Sequence, residues 1–379
     1  MCDTLDEGQK AGARSIPVSE AIGTVLAHDI TEIRPGEFKG PAFKKGHVIR
    51  EEDVCHLQRL GKEHLFVLNV AEDEMHENDA AYAIARALMG DGVAIKGDPR
   101  EGKIDIIADR DGLLKIDRDA LLRFNMLGEV MCATLHDNMV VKKGQIVAGT
   151  RAIPLVVKRA VVDEAVRIAQ EGPGSRVQGP GVITIKEIRK PRAGVVITGN
   201  EVYHGRIKDA FAPIITKKIE ECGGEMVGIY YAPDDKAFIG DRLKELLNAG
   251  ADLLITTGGM SVDPDDVTRF AIRDLGATDI TYGSAVLPGA MFLVAYLNKG
   301  QGTSEILNSE LRTPNSSLVP ILGIPACGMY HKTTVFDLIL PRVLAGERIG
   351  QRELAELGHG GLCMHCEVCR YPICPFGKD

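Results

Sequence analysis

Apolar and polar residues follow a new pattern from about residue 194 onward. Short apolar runs are separated there by longer segments with helical periodicity, and glycines end several of these segments. The pattern predicts strands at 195–198, 226–231, 252–256, 291–297 and 318–322, and helices at 210–222, 236–248, 265–275 and 330–344. Strands that alternate with helices of this length form right-handed βαβ units, so an α/β region with a parallel sheet covered on both faces is predicted.

The first 190 residues have a less regular, β-rich pattern. Short strands and turns are predicted over 15–70, helices at 51–60, 77–89 and 161–170, and a hairpin formed by 103–108 and 112–116. The segment 172–181 is rich in glycine and proline but follows a helix, which indicates a loop at a domain junction and not a phosphate-binding loop. The predicted segments are 1–70 (mixed β), 71–190 (α/β with barrel-like hairpins), 191–347 (α/β domain) and 348–379 (cysteine-rich tail).

Polar residues concentrate in the loops that leave the predicted strands of the α/β region. Parallel sheets bind ligands at the carboxyl ends of their strands, where these loops begin. The segments concerned are 198–201, 233–235, 256–268 and 323–328, supported by 287–290. The sequence therefore predicts a ligand site along one edge of the sheet.

The loop at 256–268 carries the most informative chemistry. Its Thr-Thr-Gly-Gly start lets backbone N–H groups approach an anion such as a phosphate, and the N-terminus of the next helix favours the same charge. Asp263, Asp265 and Asp266 would repel a phosphate unless a cation lay between them, and Mg²⁺ is typically held by carboxylates together with substrate phosphates. The alternative, that Pro-Asp-Asp merely begins a helix, does not explain the preceding glycines. A phosphate and metal site is therefore favoured.

Two acidic residues outside that loop, Glu201 and Asp235, also fall at this edge of the predicted sheet. Taken alone, Glu201 would be a solvated surface residue, and Asp235 would be the N-cap of the helix that follows Pro233. Their common position beside the aspartate-rich loop makes both of them candidates for binding the same cation.

Residues 194–346 resemble the molybdopterin-binding domain of molybdenum-cofactor biosynthesis proteins, over roughly two-fifths of the chain. The matching pieces, in order, are Val195-Val-Ile-Thr-Gly-Asn-Glu-Val202, Gly205-Arg-Ile-Lys-Asp209, Pro233-Asp-Asp235, Thr256-Thr-Gly-Gly-Met-Ser-Val262, Leu287-Pro-Gly289 and Gly323-Ile-Pro325. The resemblance implies a three-layer, parallel-sheet molybdopterin-binding domain preceded by a β-rich, mixed N-terminal region.

The same resemblance implies the ligands and the residues that meet them. The cofactor would be molybdopterin or adenylylated molybdopterin, lying over the Gly-Gly-x-Ser loop and the proline loops, with Mg²⁺ placed by acidic residues. The implied catalytic residues are Asp266, Asp265, Glu201 and Asp235. The implied ligand-binding residues are Thr198, Gly199, Asn200, Thr257, Gly258, Gly259, Met260, Ser261, Asp263, Pro288, Gly289, Pro325 and Cys327.

Departures from the family pattern leave three functions open. The molybdenumtransferase branch usually has Ser-Val-Gly before its aspartate and Leu-Pro-Gly-Asn-Pro in its last loop, whereas this chain has Asp263-Pro264 and Ile324-Pro-Ala-Cys-Gly328. Mg²⁺-dependent adenylyl or molybdenum transfer is the leading expectation. The alternatives are a non-catalytic carrier or sensor of the finished cofactor, and a nucleotide pyrophosphatase of the competence/damage-inducible type.

Charge and composition indicate which classes of partner this chain could bind. A formal net charge of −8 argues against nucleic acid and anionic membranes, which need a basic surface. The N-terminus is polar and acidic, unlike a signal peptide, and the apolar run at 291–297 is far shorter than the roughly 20 residues that span a bilayer. We expect a cytoplasmic protein that binds a small pterin, with ATP or AMP as the further small-molecule ligand to test, and the resemblance favours a homo-oligomer.

Nine cysteines are distributed unevenly, and four of them lie within the last 17 residues. Cys363, Cys366, Cys369 and Cys374 have the spacing C-x2-C-x2-C-x4-C, followed by proline. Bacterial iron–sulfur runs have the spacing C-x2-C-x2-C-x3-C-P, which is one residue shorter. Zinc bound by four cysteines, or by three cysteines and His365, is the alternative. The tail is therefore predicted to bind an iron–sulfur cluster or Zn²⁺.

Overall fold

The computed structural model describes residues 13–34, 37–68, 71–171, 181–260, 267–298 and 318–378. The chain forms two compact units, one built from residues up to 135 together with 141–185, the other from 136–140 together with the chain from 186 onward. Most of the predicted junction loop at 172–181 lies outside the described residues. The finer division into four segments stays a prediction.

The first unit is rich in short strands. Its elements are β1 (Ala13–Pro17), β2 (Ile30–Arg34), β3 (Phe38–Phe43), α1 (Glu51–Arg59), β4 (His64–Leu68), β5 (Glu74–His76), α2 (Glu77–Leu88), β6 (Val93–Arg100), β7 (Lys103–Ala108), β8 (Gly112–Ile116), α3 (Arg118–Asn125), β9 (Val130–Thr134), β10 (Val140–Val141), β11 (Ile146–Ala152), β12 (Val156–Lys158), α4 (Arg159–Gln170) and β13 (Ile183–Lys186). The predicted helices of this region are all present, with ends within two residues of their expected positions.

The predicted hairpin of β7 and β8 is wrong, although both strands have the expected bounds. Strand β7 pairs with β6 and β11, whereas β8 lies in a separate sheet between β10 and β13. All five residues of β8 are buried, while the exposed and buried residues of β7 alternate. A fully buried strand needs neighbours on both edges, and hydrophobic periodicity identifies a strand without naming its partner.

A buried histidine begins helix α2. The imidazole Nδ1 of His76 accepts a hydrogen bond from the Asn78 backbone N–H at 3.1 Å, and its Nε2 lies 3.2 Å from the Ala27 carbonyl oxygen. Because a backbone N–H can only donate, Nδ1 is the acceptor and Nε2 carries the proton. The neutral imidazole is therefore the N-cap of this helix. The Lys45 ammonium lies 3.2 Å from Nδ1.

The second unit contains the α/β alternation. Its elements are β14 (Arg192–Thr198), α5 (Asn200–Tyr203), α6 (Phe211–Glu221), β15 (Glu225–Ala232), α7 (Lys236–Asn248), β16 (Leu253–Thr257), α8 (Thr268–Asp274), β17 (Thr278–Tyr282), β18 (Leu293–Asn298), β19 (Leu318–Ile324), α9 (Val335–Leu344) and α10 (Gln351–Glu356). The predicted α/β class is confirmed. Strand β17 was not predicted, because it carries polar residues and none of its five is fully buried.

One six-stranded sheet organises this unit, in the order β15-β14-β16-β19-β18-β17. Strands β15, β14, β16 and β19 are parallel, and β18 and β17 run antiparallel to their neighbours. Side chains on one face of the sheet, such as Val195, pack with helices α6 and α9, and those on the other face, such as Val196, pack with α7 and α8. The result is the expected three-layer α/β/α arrangement.

Helix α9 begins five residues later than predicted. The Thr334 hydroxyl accepts a hydrogen bond from the Phe336 backbone N–H at 3.3 Å, and the Asp337 carboxylate accepts one from the Thr334 N–H at 2.7 Å. This capping box fixes the start of the helix at Val335, and the preceding residues Ala326–Met329 form a 3₁₀ turn. Within the described ranges, no helix is both long and apolar enough to cross a membrane.

The C-terminal tail folds back on the second unit. Leu362 forms a parallel bridge with Leu287, in which the Leu287 N–H donates to the Gly361 carbonyl and the Cys363 N–H donates to the Leu287 carbonyl, both at 2.8 Å. The Tyr371 hydroxyl donates to the Asp337 carbonyl at 3.2 Å. Phe376 is only 4% exposed and joins the apolar core below the sheet.

Candidate functional site

The strand register brings four loops to one edge of the sheet. Thr198, the last residue of β14, lies opposite Ala232, the last residue of β15. Thr257 at the end of β16 lies opposite Ile197 on one side and Ile324 on the other. The loops that follow β14, β15, β16 and β19 therefore begin side by side, as the sequence predicts.

A fifth loop reaches the same edge from the opposite direction. Strand β18 is antiparallel to β19, and its first residue, Leu293, lies opposite Gly323 near the end of β19. The segment before β18 therefore contributes Pro288 and Gly289 to this edge. The Pro288 carbonyl accepts a hydrogen bond from the Val335 N–H at 3.2 Å, and this bond holds the loop against the start of α9.

The buried hydroxyl of Thr198 contacts two other threonines at this edge of the sheet. The Oγ1 of Thr198 donates to the Thr257 carbonyl at 2.8 Å and lies 3.2 Å from the Oγ1 of Thr268. All three residues are buried. Thr257 and Thr268 flank the loop that the sequence predicts to bind phosphate, so Thr198 contacts both ends of that loop.

The paired glycines of this loop are required by their surroundings. Gly258 and Gly259 have φ of +77° and +57°, a left-handed conformation that favours glycine. A Cβ atom on Gly258 would lie 2.5 Å from the Thr198 carbonyl oxygen, and one on Gly259 would overlap the Thr268 hydroxyl. The main chain of Gly258 and Gly259 therefore packs directly on the two threonines.

The first two loops are joined by a reciprocal pair of hydrogen bonds. The Asn200 backbone N–H donates to the Asp234 carboxylate at 3.1 Å, and the Asp234 N–H donates to the Asn200 side-chain oxygen at 3.3 Å. Gly199, which precedes this pair, has φ of +136°. The pair fixes the spacing of the loops after β14 and β15.

The two acidic candidates differ in what they do. An Asp235 carboxylate oxygen, Oδ1, accepts a hydrogen bond from the Phe238 N–H at 2.8 Å, so this residue caps helix α7. Glu201 is exposed in α5, and its carboxylate lies beside Gly199, since a Cβ added there would be 3.5 Å from it. Both carboxylates border the predicted edge, and their roles in binding a cation stay predictions.

Four predicted site residues lie outside the described part of the chain: Ser261, Asp263, Asp265 and Asp266. Met260, the last described residue before them, is buried, and its carbonyl accepts a hydrogen bond from the Tyr282 hydroxyl. The hydroxyls of Thr256 and Thr257 are buried without a hydrogen-bond partner among the described atoms. Because consecutive residues of a strand point to opposite faces of the sheet, these two hydroxyls lie on opposite faces.

Pro325 and Cys327 lie in the last loop of the edge. Pro325 precedes the 3₁₀ turn at Ala326–Met329, and its carbonyl accepts a hydrogen bond from the Gly328 N–H at 2.9 Å. Cys327 is half-buried, and burial raises the pKa of its thiol. A raised thiol pKa keeps this residue protonated at neutral pH, as expected of a packing residue.

The four tail cysteines line one cavity of about 220 Å³. Other residues of the tail, including His365, also line it, as do residues 330–333, which connect the Pro325 loop to α9. The Sγ of Cys369 lies 3.4 Å from the Thr333 hydroxyl, a contact that lowers the pKa of this thiol. Across the described residues, no group of three or more Cys, His, Asp or Glu side chains is arranged so that it could hold a metal ion.

Sequence reasoning missed three residues that shape the edge: Thr268, Asp234 and Tyr282. Thr268 ends the segment 256–268 and Asp234 lies in the motif Pro233-Asp-Asp235, but their neighbours carry the more conspicuous carboxylates. Tyr282 lies on the strand that was not predicted, so no sequence signal pointed to its contact with Met260.

Two family models match parts of this chain. Residues 194–345 match the family model described as a probable molybdopterin binding domain. Residues 15–69 match a second model, described as a domain of unknown function.

Curated relatives match a short stretch. A CinA-like protein of Mycobacterium avium is 39% identical over 89 residues, which is 22% of this chain and 20% of the relative. A CinA-like protein of Mycobacterium tuberculosis is 40% identical over 93 residues, which is 23% of this chain and 22% of the relative. The chain thus spans about a fifth of the length of these relatives.

Solved structures include the tungsten cofactor synthesizing protein MoaB of Pyrococcus furiosus, at 18% identity and a TM-score of 0.30 over 42% of this chain and 99% of that one. The molybdopterin biosynthesis enzyme MoaB of Thermus thermophilus has 19% identity and a TM-score of 0.31 over 41% and 98%. At such scores these likenesses add nothing to the fold described above. Residues 194–345, which contain nearly all of the sheet and its edge loops, are thus similar over about two-fifths of the chain to the family described as a probable molybdopterin binding domain.

Proposed function

We propose that the second unit binds molybdopterin, as the free pterin phosphate or its adenylylated form, in a role related to molybdenum-cofactor biosynthesis. The observation that carries this proposal is the pair Gly258–Gly259, held in left-handed backbone against Thr198 and Thr268. Without side chains, the two residues expose main-chain N–H groups at the carboxyl edge of the sheet, where a phosphate is bound most readily.

The donor set at this edge fits Mg²⁺. The carboxylates of Glu201 and Asp235 border the edge, and hard oxygen donors of this kind suit that ion. Asp265 and Asp266 would complete the set. When bound, Mg²⁺ would supply charge neutralisation and orientation of the phosphate oxygens. The chain's own residues would hold the pterin phosphate on glycine N–H groups and fix the loop spacing through Asn200 and Asp234.

The experiment is pterin retention by the full chain. Purified protein is incubated with molybdopterin and passed through a desalting column, and the retained pterin is measured by fluorescence after oxidation. We expect retention by the wild type and a loss of about tenfold or more in affinity for Gly259→Ala, because its Cβ would overlap Thr268. Gly240→Ala in α7 is the matched control, since nothing lies within 4 Å of a Cβ there. Absence of retention by the wild type would refute pterin binding.

Adding ATP, Mg²⁺ and molybdate separates chemistry from storage. Transfer of AMP to the pterin would identify adenylyl transfer. Release of AMP when molybdate is added would identify molybdenum transfer. Retention without any nucleotide turnover would identify a carrier or sensor of the cofactor.

A nucleotide pyrophosphatase is the second candidate, and the matches to CinA-like proteins favour it. The same glycine-rich edge would then hold a nucleotide diphosphate in place of a pterin phosphate. Hydrolysis of a dinucleotide or nucleotide sugar to two monophosphates, without pterin retention, would select this function over the first.

A further inference from the structure

The cysteine-lined cavity of the tail has no part in pterin binding as proposed above. We propose that this cavity holds an iron–sulfur cluster, bound by Cys363, Cys366, Cys369 and Cys374. All four residues line the same cavity, and none of them forms a disulfide.

The disposition of the thiols distinguishes a cluster from a single ion. Around one zinc ion, thiolate sulfurs lie about 2.3 Å from the metal and hence within about 4 Å of each other. No three of the described cysteine, histidine or carboxylate side chains form a group that could hold one metal ion, yet all four tail cysteines line one cavity of about 220 Å³. In an iron–sulfur cluster the four thiolates are distributed over two or four irons, so the sulfurs surround a volume and do not converge on one ion.

Apolar packing orders only part of the tail: Phe376 joins the core of the second unit, and Cys363, Tyr371 and Cys374 pack against it. Between the bridge at Leu287 and the buried Phe376, the tail has turns and bends but neither helix nor strand. Four of its large apolar side chains are 69% to 87% exposed: Leu362, Met364, Val368 and Ile373. Short segments with a small apolar core are commonly held by disulfides or metal centres, and here the thiols are unpaired.

The spacing of the ligands agrees with this assignment. The first three cysteines are three residues apart, and the fourth directly precedes Pro375. Bacterial cluster-binding runs have the same two features, but their last interval is one residue shorter. The longer interval contains Tyr371, which donates a hydrogen bond to the Asp337 carbonyl. Tyr371 thus anchors this loop to the domain, and both flanking cysteines, Cys369 and Cys374, line the cavity.

The cluster would adjoin the loops of the candidate pterin site. The cavity wall at 330–333 continues directly from the Pro325 loop, and the tail is bonded through its main chain to Leu287, which precedes Pro288. The Pro325 loop is therefore covalently continuous with one wall of the cavity, and the Pro288 loop is hydrogen-bonded to the tail through Leu287.

The test is a metal and spectroscopic analysis of the full chain purified without oxygen. We expect iron and acid-labile sulfide in about equal amounts, with at least two irons per chain, together with visible charge-transfer absorption that dithionite bleaches and an electron paramagnetic resonance signal of the reduced cluster. Cys366→Ser and Cys369→Ser should each lose most of the iron and the absorption. Cys55→Ser, an exposed cysteine of the first unit, should retain both.

Three outcomes would overturn the proposal: zinc as the sole metal, iron without sulfide, or a metal-free tail, whether its thiols are reduced or paired in disulfides. If the serine variants fail to fold, the iron and sulfide content of the wild type still decides the matter. These measurements do not involve pterin, so a failure here is distinct from a failure of the proposed function.

Discussion

The hydroxyl oxygens of Thr198 and Thr268 lie 3.2 Å apart in the interior of the second unit. Since the Thr198 hydroxyl also donates to the Thr257 carbonyl, one side chain holds the two ends of the candidate phosphate loop. The closure of this loop therefore depends on a residue of the neighbouring strand.

Replacing Thr198 by valine should open this closure. The variant keeps the shape of the side chain but leaves the Thr257 carbonyl and the Thr268 hydroxyl without that partner. We expect a loss of about 1–3 kcal/mol in the free energy of unfolding and weaker pterin retention. Urea denaturation and the desalting assay measure the two effects.

Thr256→Val is the matched control, because its hydroxyl is buried without a partner. It should leave stability unchanged or slightly raised. Equal losses for the two variants would contradict the role assigned to Thr198.

Replacing a glycine by alanine should have opposite effects on stability in the candidate phosphate loop and in helix α7. Gly259→Ala places a Cβ on the Thr268 hydroxyl in a left-handed backbone, so we expect a loss of stability of at least about 1 kcal/mol. Gly240→Ala, inside helix α7 with open space around the new Cβ, should gain about 0.5–1 kcal/mol. Thermal unfolding of both variants measures the difference, and a neutral Gly259→Ala would show that the loop adapts to a side chain.

Local signals in the sequence account for much of the second unit. Helix α7 has the predicted bounds because Asp235 caps its start and the chain turns at Gly250, which has positive φ. Both signals lie within a few residues of the helix they delimit. The edge on which the predicted loops meet follows in the same way from the alternation of strands and helices.

Contacts between residues that are far apart in the sequence cannot be predicted from such local signals. The hydrogen bonds between Asn200 and Asp234 join residues 34 positions apart, and the sequence contains nothing that pairs them. The predicted hairpin of β7 and β8 is wrong because sequence proximity alone does not determine which strands pair. Thr268 acts through Thr198, 70 residues away, and not through its neighbours.

The stability of helix α2 should depend on pH through His76. Burial is the main reason that the pKa of this imidazole lies below its ordinary value of 6.5. As pH falls below about 6.5, the unfolded chain binds a proton that the folded chain does not, so stability falls with pH until the folded pKa is reached. Protonated Nδ1 also cannot accept the Asn78 N–H and would face the Lys45 ammonium.

Hydrogen–deuterium exchange in residues 77–88 measures this effect. Lowering the pH from about 7.5 to about 5.5 should reduce protection of the helix, after correction for intrinsic exchange. His76→Gln should show a smaller change with pH, while His64→Gln, an exposed residue of β4, should behave as the wild type does. An identical pH dependence in all three proteins would contradict the prediction.

The attachment of the tail should depend on one aromatic side chain. Phe376 is buried in the core of the second unit, so Phe376→Ala should cost about 3–5 kcal/mol in the free energy of unfolding or detach the tail. Ile373→Ala, only three residues earlier but 87% exposed, should change stability by less than about 0.5 kcal/mol. Limited proteolysis after residue 357 reports detachment, and similar cleavage of both variants would contradict this role of Phe376.

The bridge between Leu287 and Leu362 is made by main-chain groups alone, and both side chains at the bridge are exposed. Such a junction has no preference for particular side chains. The tail could therefore exchange its outer surface over evolutionary time, acquiring or losing docking partners, while its entry point beside the proline loop remained where it is.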